Sequence, residues 1–162
     1  MMKIQALETR YAGHVFRSRL EARWAMFFDL IGIKWQYEPE GYRLSNGDCY
    51  LPDFFLPRFW GGIYAEVKPD GGEFSKSKQF SIEQDVGLIC CDGLPRAGLF
   101  LCVRTSEELS FGCWGIFSEK LLSKGEHRLW TESEKISEKE CAMRNPNITR
   151  AALTATAYRF TR

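Results

Sequence analysis

Residues 52–68 have the sequence PDFFLPRFWGGIYAEVK, which decides how the central part of this chain folds. Two aromatic and aliphatic segments flank residues 57–62, a stretch rich in proline and glycine that is typical of a turn. The pattern predicts an antiparallel hairpin in which Asp53 lies directly opposite Glu66. Side chains alternate along a strand, so Lys68 should lie on the same sheet face as Glu66, with Val67 pointing into a core.

Two carboxylates would then face each other across this hairpin. Directly opposite residues have Cβ atoms about 4.5–5.5 Å apart, a distance at which like charges repel. A hard divalent cation removes the repulsion, because it prefers carboxylate oxygens. Asp53 and Glu66, with Lys68 beside them, therefore predict a site for metal-assisted attack on a phosphodiester. The alternative is a surface aspartate in a turn and a surface glutamate paired with Lys68, an ion pair that contributes only about 0–1 kcal/mol.

The composition is that of one folded domain. The chain has 162 residues, of which 44% are hydrophobic and 14% aromatic, so it can bury a substantial core and is not expected to be disordered. The formal net charge is only +1. A nucleic-acid partner would therefore have to be held by local basic patches, since no overall basic field exists.

The six cysteines include no C-x-x-C pair, and most of them lie in apolar, strand-like runs. They are interpreted as reduced, buried thiols, in preference to zinc ligands or disulfides. Residues 1–13 lack the apolar centre of a signal peptide, and the most apolar run, residues 24–33, is interrupted by Asp29 and too short to span a membrane. These features predict a soluble, cytoplasmic protein without a membrane partner.

The first helix has the clearest signal. Apolar residues recur at three- and four-residue steps between residues 16 and 31. Ser18 and Glu21 match the S-x-x-E capping pattern, and Gly32 is a suitable stop. The apolar positions are Phe16, Leu20, Trp24, Phe27, Phe28 and Ile31.

Strands are predicted after this helix. They cover residues 33–37, 42–44, 48–56 and 63–68, with Asn46-Gly47 as a tight turn and Pro52 marking an edge, bulge or bend. Residues 74–86 favour a second helix. Further strands follow at residues 88–91, 99–103 and 111–117, and the strand–helix–strand order implies a crossover connection. The fold class is therefore α/β (α+β, with a mixed sheet).

The pattern weakens from residue 118 onward. Residues 126–140 are rich in charge, and residues 144–162 contain four arginines and no acid. We expect residues 1–117 to form the core. Residues 118–162 are expected to form a mostly helical C-terminal appendage, which is not an independent domain.

The helix with Glu21, followed by Pro52-Asp53 and then Glu66-x-Lys68, resembles the PD-(D/E)XK phosphodiesterase superfamily, which has the restriction-endonuclease-like fold. Residues 11–57 are also similar to small phage-encoded nucleases and to junction-resolving endonucleases. The resemblance covers about the first hundred residues. It implies the order α-β-β-β-α-β, in which a helix, a three-stranded meander and a crossover helix are followed by further strands.

The resemblance also implies roles for the site residues. Asp53 and Glu66 would bind Mg²⁺ or Mn²⁺, with the backbone carbonyl of Val67 as a further ligand and Glu21 as an additional candidate for the ion or its water. Lys68 would stabilise charge developing at phosphorus or orient the attacking water. For Glu21 the alternative is a purely structural role in the capping box with Ser18.

Basic residues near two helix starts are candidates for phosphate contacts, since backbone amides there also favour anions. The alternative is that they lie on solvated helix faces. Phe59 and Trp60, in the predicted hairpin loop, could stack on bases or contact a protein partner. His14 is not favoured as a general base. The candidate phosphate contacts are Arg17, Arg19, Arg23, Lys76 and Lys78.

The sequence therefore predicts a metal-dependent endonuclease or exonuclease, acting on DNA in preference to RNA. No nucleotide cofactor is expected, because the chain has no G-x-x-x-x-G-K-[ST] string. By analogy the protein would be phage-encoded, would act in the host cytoplasm and would form a homodimer. The alternative function is a non-cleaving module on the same fold that binds nucleic acid or protein, such as an inhibitor of host machinery.

Overall fold

The computed structural model describes residues 6–58, 61–96, 99–105, 108–113 and 146–160. The strands of its main sheet are β3 (Gln36–Tyr37), β6 (Phe54–Leu56), β7 (Ile63–Lys68), β8 (Leu88–Asp92), β9 (Leu99–Thr105) and β10 (Glu108–Cys113). The sheet is mixed, and the order of these strands across it is β10-β9-β8-β7-β6-β3. Neighbouring strands run antiparallel, except that β7 and β8 run parallel.

The α/β fold class is confirmed. Strands β3, β6 and β7 form an antiparallel meander, and helix α2 (Ser75–Gln84) connects the parallel strands β7 and β8. A parallel pair requires such a crossover connection. The predicted strand at residues 111–117 corresponds to β10, which begins at Glu108. Residues 114–117 lie outside the described residues.

Helix α1 (Arg19–Leu30) begins and ends as the sequence predicts. The Ser18 hydroxyl accepts a hydrogen bond from the Glu21 amide at 3.1 Å, which satisfies one of the unpaired donors at the helix start. At the other end, Gly32 (φ 77°) donates to Asp29, and Ile33 donates to Phe28. This pair of hydrogen bonds is a Schellman motif, which requires a left-handed backbone conformation at the position of Gly32.

The expectation that Phe16 lies on α1 is wrong. Phe16 ends strand β2 (His14–Phe16), which pairs with β1 (Thr9–Tyr11) in a separate two-stranded sheet. Ala12 and Gly13 both have positive φ, which suits a two-residue hairpin turn. The Phe16 ring is nonetheless fully buried in the same core as the α1 stripe, and for this reason its spacing imitated a helical position.

The prediction of one continuous strand over residues 48–56 is also wrong. Strand β5 (Cys49–Tyr50) pairs with β4 (Tyr42–Arg43) in a sheet of its own, and the chain bends at residues 51–53 before β6 begins. Residues 42–44 therefore do not extend the main sheet. The bend at Asp53 directly follows Pro52, which cannot donate a ladder hydrogen bond.

Each face of the sheet has its own cover. Helix α1 and helix α3 (Pro146–Ala157) share one hydrophobic core with the inward residues of β6, β7 and β8. Phe80 of α2 packs with Leu44 and Tyr50 on the other side. The part of the predicted appendage within residues 118–145 lies outside the described residues. No helix in the described ranges is long and apolar enough to cross a membrane.

The cysteine prediction is confirmed for two thiols and wrong for a third. Cys90 and Cys91 are free and buried in β8, whereas Cys49 is free but exposed. Cys102, Cys113 and Cys141 lie outside the residues whose side chains are described.

Candidate active site

The register of β6 and β7 places Asp53 opposite Glu66. The ladder pairs Leu56 with Ile63 and Phe54 with Ala65, and one further step along both strands reaches the two acids. Both side chains are buried, and each residue keeps only 4% of its accessible surface. The hairpin that the sequence predicts therefore brings two carboxylates together below the surface.

Asp53 is held by a backbone amide and a guanidinium. Its Oδ2 accepts from the Val67 N–H at 2.8 Å, and its Oδ1 accepts from Arg17 Nη2 at 3.0 Å. Burial, and then the neighbouring Glu66, raise the pKa of Asp53 to about 7, although the Val67 amide acts in the opposite direction. The Asp53 carboxyl therefore changes its charge near neutral pH.

Glu66 has two strong donors of its own. Its Oε2 accepts from the Tyr50 hydroxyl at 2.6 Å, and its Oε1 accepts from Lys68 Nζ at 2.5 Å. Burial, and then Glu66 itself, raise the pKa of Tyr50 well above its usual value, so this hydroxyl remains a donor. Lys68 lies on the Glu66 side of β7, as the alternation along the strand predicts.

Val67 lines the same cavity, and Pro52 explains why its carbonyl has no ladder partner. The Val67 N–H points toward β6, and within a strand the carbonyl of a residue points the same way as its N–H. A continued ladder would pair Val67 with Pro52, one residue before Asp53. Proline has no N–H to donate to that carbonyl. The Pro52-Asp53 dipeptide thus supplies a carboxylate for the Val67 amide while it leaves the Val67 carbonyl without a ladder donor.

Glu21 enters the site from the start of α1. Glu21 keeps 8% of its accessible surface. Its two carboxylate oxygens accept hydrogen bonds from Ser18 Oγ at 2.7 Å and from the Tyr37 hydroxyl at 2.6 Å. Ser18 caps the helix, so the structural role weighed for this pair is confirmed. The Glu21 carboxylate nevertheless lines the same cavity as Asp53 and Glu66, so the capping role does not remove it from the site.

One cavity of about 440 Å³ collects these groups. It brings together the four predicted catalytic residues, Val67, and two of the five predicted phosphate contacts, Arg17 and Lys76. Within the described residues, no three carboxylate, imidazole or thiol groups form a metal-binding cluster by themselves. A cation would therefore need the Val67 carbonyl or solvent in addition to Asp53 and Glu66. The cavity is lined by Arg17, Glu21, Cys49, Tyr50, Leu51, Asp53, Glu66, Val67, Lys68, Glu73, Lys76 and Ser77.

Three other predicted phosphate contacts lie elsewhere. Arg19 and Arg23 line a second cavity of about 310 Å³, described below. Lys78 lies on α2 near Cys90 and lowers the pKa of that thiol, which burial raises to about 12. His14 lies against the ring of Trp35, with centroids 5.0 Å apart, and does not line either cavity. Phe59 and Trp60 lie outside the described residues.

Sequence reasoning missed the two tyrosines that complete the site. Tyr50 lies 16 residues before its partner Glu66, and Tyr37 lies 16 residues after its partner Glu21, so no local pattern links either pair. Arg17 was predicted as a phosphate contact, yet it pairs with Asp53 and, through Nε at 2.6 Å, with Glu38. The sequence offered the Glu66–Lys68 ion pair as an alternative, and the structure contains that pair below the surface. The pairing of Arg17 with Asp53 follows only from the three-dimensional arrangement.

Comparison with protein-family models, with curated proteins and with solved structures found no match for this chain. The candidate site is therefore defined by its own geometry: two buried acids where the pairing of the interior strands β6 and β7 ends, a lysine and an arginine beside them, and Val67 in the lining of the same cavity.

Proposed function

We propose that the protein is a metal-dependent nuclease of the PD-(D/E)XK type, which hydrolyses phosphodiester bonds and prefers DNA. The observation that carries the proposal is the arrangement of Asp53, Glu66 and Lys68 where the β6–β7 ladder ends. Glu21 lines the same cavity. A fold that needed these residues only for stability would gain nothing from burying two acids side by side.

The donor set suits Mg²⁺ or Mn²⁺. Hard divalent cations bind carboxylate and carbonyl oxygens, and the site offers both on Asp53, Glu66 and Val67. Burial and then the neighbouring Glu66 raise the pKa of Asp53, and the Val67 amide and Lys68 offset this rise only in part. A cation between the acids would relieve their repulsion, whereas Arg17 and Lys68 would be released toward a substrate phosphate.

Each side chain then has a distinct task. A bound divalent ion supplies Lewis acidity to a phosphate oxygen and to an attacking water. Lys68, released from Glu66, provides a compact positive charge beside the phosphorus, where charge develops in the transition state. Tyr50 fixes the orientation of the Glu66 carboxylate, and Tyr37 does the same for Glu21. Arg17 and Lys76 lie in the same cavity and can bind neighbouring phosphates.

The order of elements agrees with the restriction-endonuclease-like part of the proposal. The series α1, β3, β6, β7, α2, β8 follows the order α-β-β-β-α-β, with the β4–β5 hairpin inserted between β3 and β6. Fold resemblance alone does not fix activity. It supports the proposal here because Asp53 directly precedes β6, and Glu66 and Lys68 lie on β7, the neighbouring strands on which the resemblance places the acids and the lysine.

The test is a cleavage assay with an isosteric variant. Plasmid DNA, branched DNA and RNA are incubated with wild-type protein in Mg²⁺ or Mn²⁺, beside Asp53→Asn. We expect the wild type to cleave, and a chelator to abolish this cleavage. The cleavage rate of Asp53→Asn should be lower by at least about a hundredfold. Asp85→Asn is the matched control, because Asp85 is exposed at the end of α2, outside both cavities. Absence of cleavage by the wild type, or equal cleavage by Asp53→Asn, would refute the proposal.

One observation favours a second function, a binding module that does not cut. Each carboxylate oxygen of Asp53 and Glu66 already has a hydrogen-bond donor within the chain. A site so complete could have kept its architecture while it serves only to bind nucleic acid or protein. Retarded migration of DNA without cleavage, unchanged by a chelator, would support this second function over the first.

A further inference from the structure

A second cavity lies on the other side of the start of α1. It has a volume of about 310 Å³ and is lined by five residues: Arg19, Arg23, Tyr158, Arg159 and Phe160. Three of these are arginines, and none is acidic. In a protein whose net charge is only +1, such a concentration of positive charge is a local feature that requires an anionic partner or strong solvation.

Arg23 has a structural role in this cavity. Its Nε donates to the Thr156 carbonyl at 3.1 Å, its Nη2 donates to the Tyr158 carbonyl at 3.4 Å, and its guanidinium lies 5.9 Å from the centre of the Phe160 ring. A cation suits this place, because the carbonyls at the end of a helix carry partial negative charge. Arg23 thereby joins α1 to the residues that follow α3 and builds one wall of the cavity.

Arg19 and Arg159 differ from Arg23. Both are exposed, and among the described residues neither guanidinium makes a hydrogen bond or an ion pair. Beside them, Tyr158 is 46% exposed, and its ring meets that of Phe160 edge to face at 4.9 Å. Two uncommitted guanidinium groups next to an accessible aromatic ring match the chemistry of a phosphate and an adjoining base.

The second cavity lies close to the first by helical geometry. Arg19 and Arg23 are four residues apart and share one face of α1, whereas Glu21, midway between them, faces the candidate active site. The two cavities are therefore separated by the thickness of one helix, about 10–12 Å with side chains. That distance corresponds to about three nucleotides along a duplex strand at 3.4 Å each.

We propose that this second cavity is a phosphate subsite, which holds the nucleic-acid strand a few nucleotides from the phosphate at the candidate active site. The substrate class rests on the proposed function, but binding at the subsite needs neither a metal ion nor cleavage. The strand would pass the amino end of α1, where Arg17 and the positive end of the helix dipole favour its phosphates. Nucleic acid is preferred to an acidic protein because an exposed aromatic ring accompanies the arginines.

The experiment measures fluorescence anisotropy of a labelled DNA duplex and a labelled single strand in the presence of a chelator. The variant is Arg19→Ala with Arg159→Ala. Arg23 stays intact, because it holds carbonyl groups of the fold. We expect affinity to fall at least about tenfold and the slope of log K against log salt to decrease by nearly two charges. The matched control, Lys34→Ala with Arg43→Ala, removes two exposed cations outside both cavities and should change affinity less than twofold.

The outcomes separate this inference from the proposed function. If the wild type cleaves DNA, and the Arg19/Arg159 variant binds like the control with an unchanged salt slope, the subsite is refuted and the nuclease proposal stands. If nucleic acid binds through these arginines but is never cleaved, the subsite stands and the nuclease proposal fails. If polyglutamate displaces the labelled strand as effectively as unlabelled DNA does, a nucleic-acid subsite is refuted. Thermal melting of each variant verifies that it is folded.

Discussion

At the scale of single residues, the Asp53 carboxyl has the most consequential surroundings. It is buried beside a second acid and accepts hydrogen bonds from the Val67 amide and the Arg17 guanidinium, yet its pKa remains raised, because burial and Glu66 outweigh the Val67 amide and Lys68. Folded proteins tolerate such an arrangement where function requires it, at a cost in stability. The cost has a defined dependence on pH, because only the ionised carboxylate experiences the repulsion.

We predict that Asp53→Asn stabilises the metal-free protein at about pH 8. The pKa of Asp53 is raised from 3.8 to about 7 in the folded protein, so the folded state takes up a proton more readily than the unfolded chain. The stabilisation from that proton is present below the lower value and is lost as pH rises through about 7. The asparagine does not ionise, so the variant does not lose stability as pH rises. Its free energy of unfolding should exceed that of the wild type by about 2–4 kcal/mol at pH 8.

Urea unfolding with a chelator present, at about pH 5 and pH 8, measures this difference. Near pH 5 the two proteins should differ much less, because the wild-type carboxyl is then protonated in the folded state. An Asp53→Asn protein less stable than the wild type at pH 8 would show that Arg17 and Val67 compensate the charge fully.

Tyr50→Phe provides a second test at this scale. The change leaves Glu66 Oε2 buried without its hydroxyl donor, so we expect the free energy of unfolding to fall by about 1–3 kcal/mol. Tyr158→Phe is the control, since that ring is 46% exposed, and it should change stability by less than about 0.5 kcal/mol. Equal effects of the two variants in urea unfolding would contradict the role given to Tyr50.

At the scale of elements, the β6–β7 pair ends where the site begins. The ladder is regular up to Phe54 and Ala65, and the bend at residues 51–53 then replaces main-chain pairing with a side-chain acceptor. Pro52 cannot donate at this point, so the end of pairing follows from covalent structure. Strand β7 continues to Lys68 beside β8, so the break in β6–β7 pairing leaves an opening next to Glu66 and Val67 on one side and Asp53 on the other.

We predict that Pro52→Ala weakens divalent-ion binding more than it weakens the fold. The alanine supplies an N–H where a continued ladder would bond the Val67 carbonyl, so that carbonyl becomes less available to a cation. Stability should change by no more than about 1–2 kcal/mol, the value of one or two buried methylene groups. Calorimetric titration with Mn²⁺ should show affinity reduced by about tenfold, and unchanged affinity would mean that the carbonyl is not a ligand.

At the scale of the whole molecule, α3 closes the core from a distance of more than a hundred residues along the chain. Ile148, Ala151, Ala152 and Ala155 are buried in the same cluster as the α1 stripe. Small residues let the two helices approach closely. Arg23 then attaches the end of α3 to α1 and forms the wall between the core and the second cavity.

A matched pair of variants tests this packing. Ala152→Asp places a charge in the core and should lower the free energy of unfolding by more than about 3 kcal/mol. Leu153→Asp changes a neighbouring residue that is 66% exposed, so stability should change by less than about 0.5 kcal/mol. Similar urea midpoints for both variants would show that α3 does not pack against α1.

Local patterns predicted those parts of the molecule that are determined locally. The caps of α1 and the opposition of Asp53 and Glu66 follow from spacing within a few residues of each motif. The split of residues 48–56 did not follow, because a proline permits a bend, an edge or a bulge, and tertiary contacts choose among them. Phe16 misled the helix prediction, since burial alone produced its spacing. Tyr37, Tyr50 and the arginine cavity depend on contacts between distant segments, for which a single sequence carries no signal.

Titration of the wild type and of Asp53→Asn with Mn²⁺, by calorimetry at about pH 5.5 and pH 8, decides whether Asp53 and Glu66 hold a divalent ion. We predict one ion bound per wild-type chain, with higher affinity at pH 8, because at lower pH a proton on Asp53 competes with the ion. Asp53→Asn should lose the site. A wild type that binds no ion, or a variant that binds as the wild type does, would contradict this prediction.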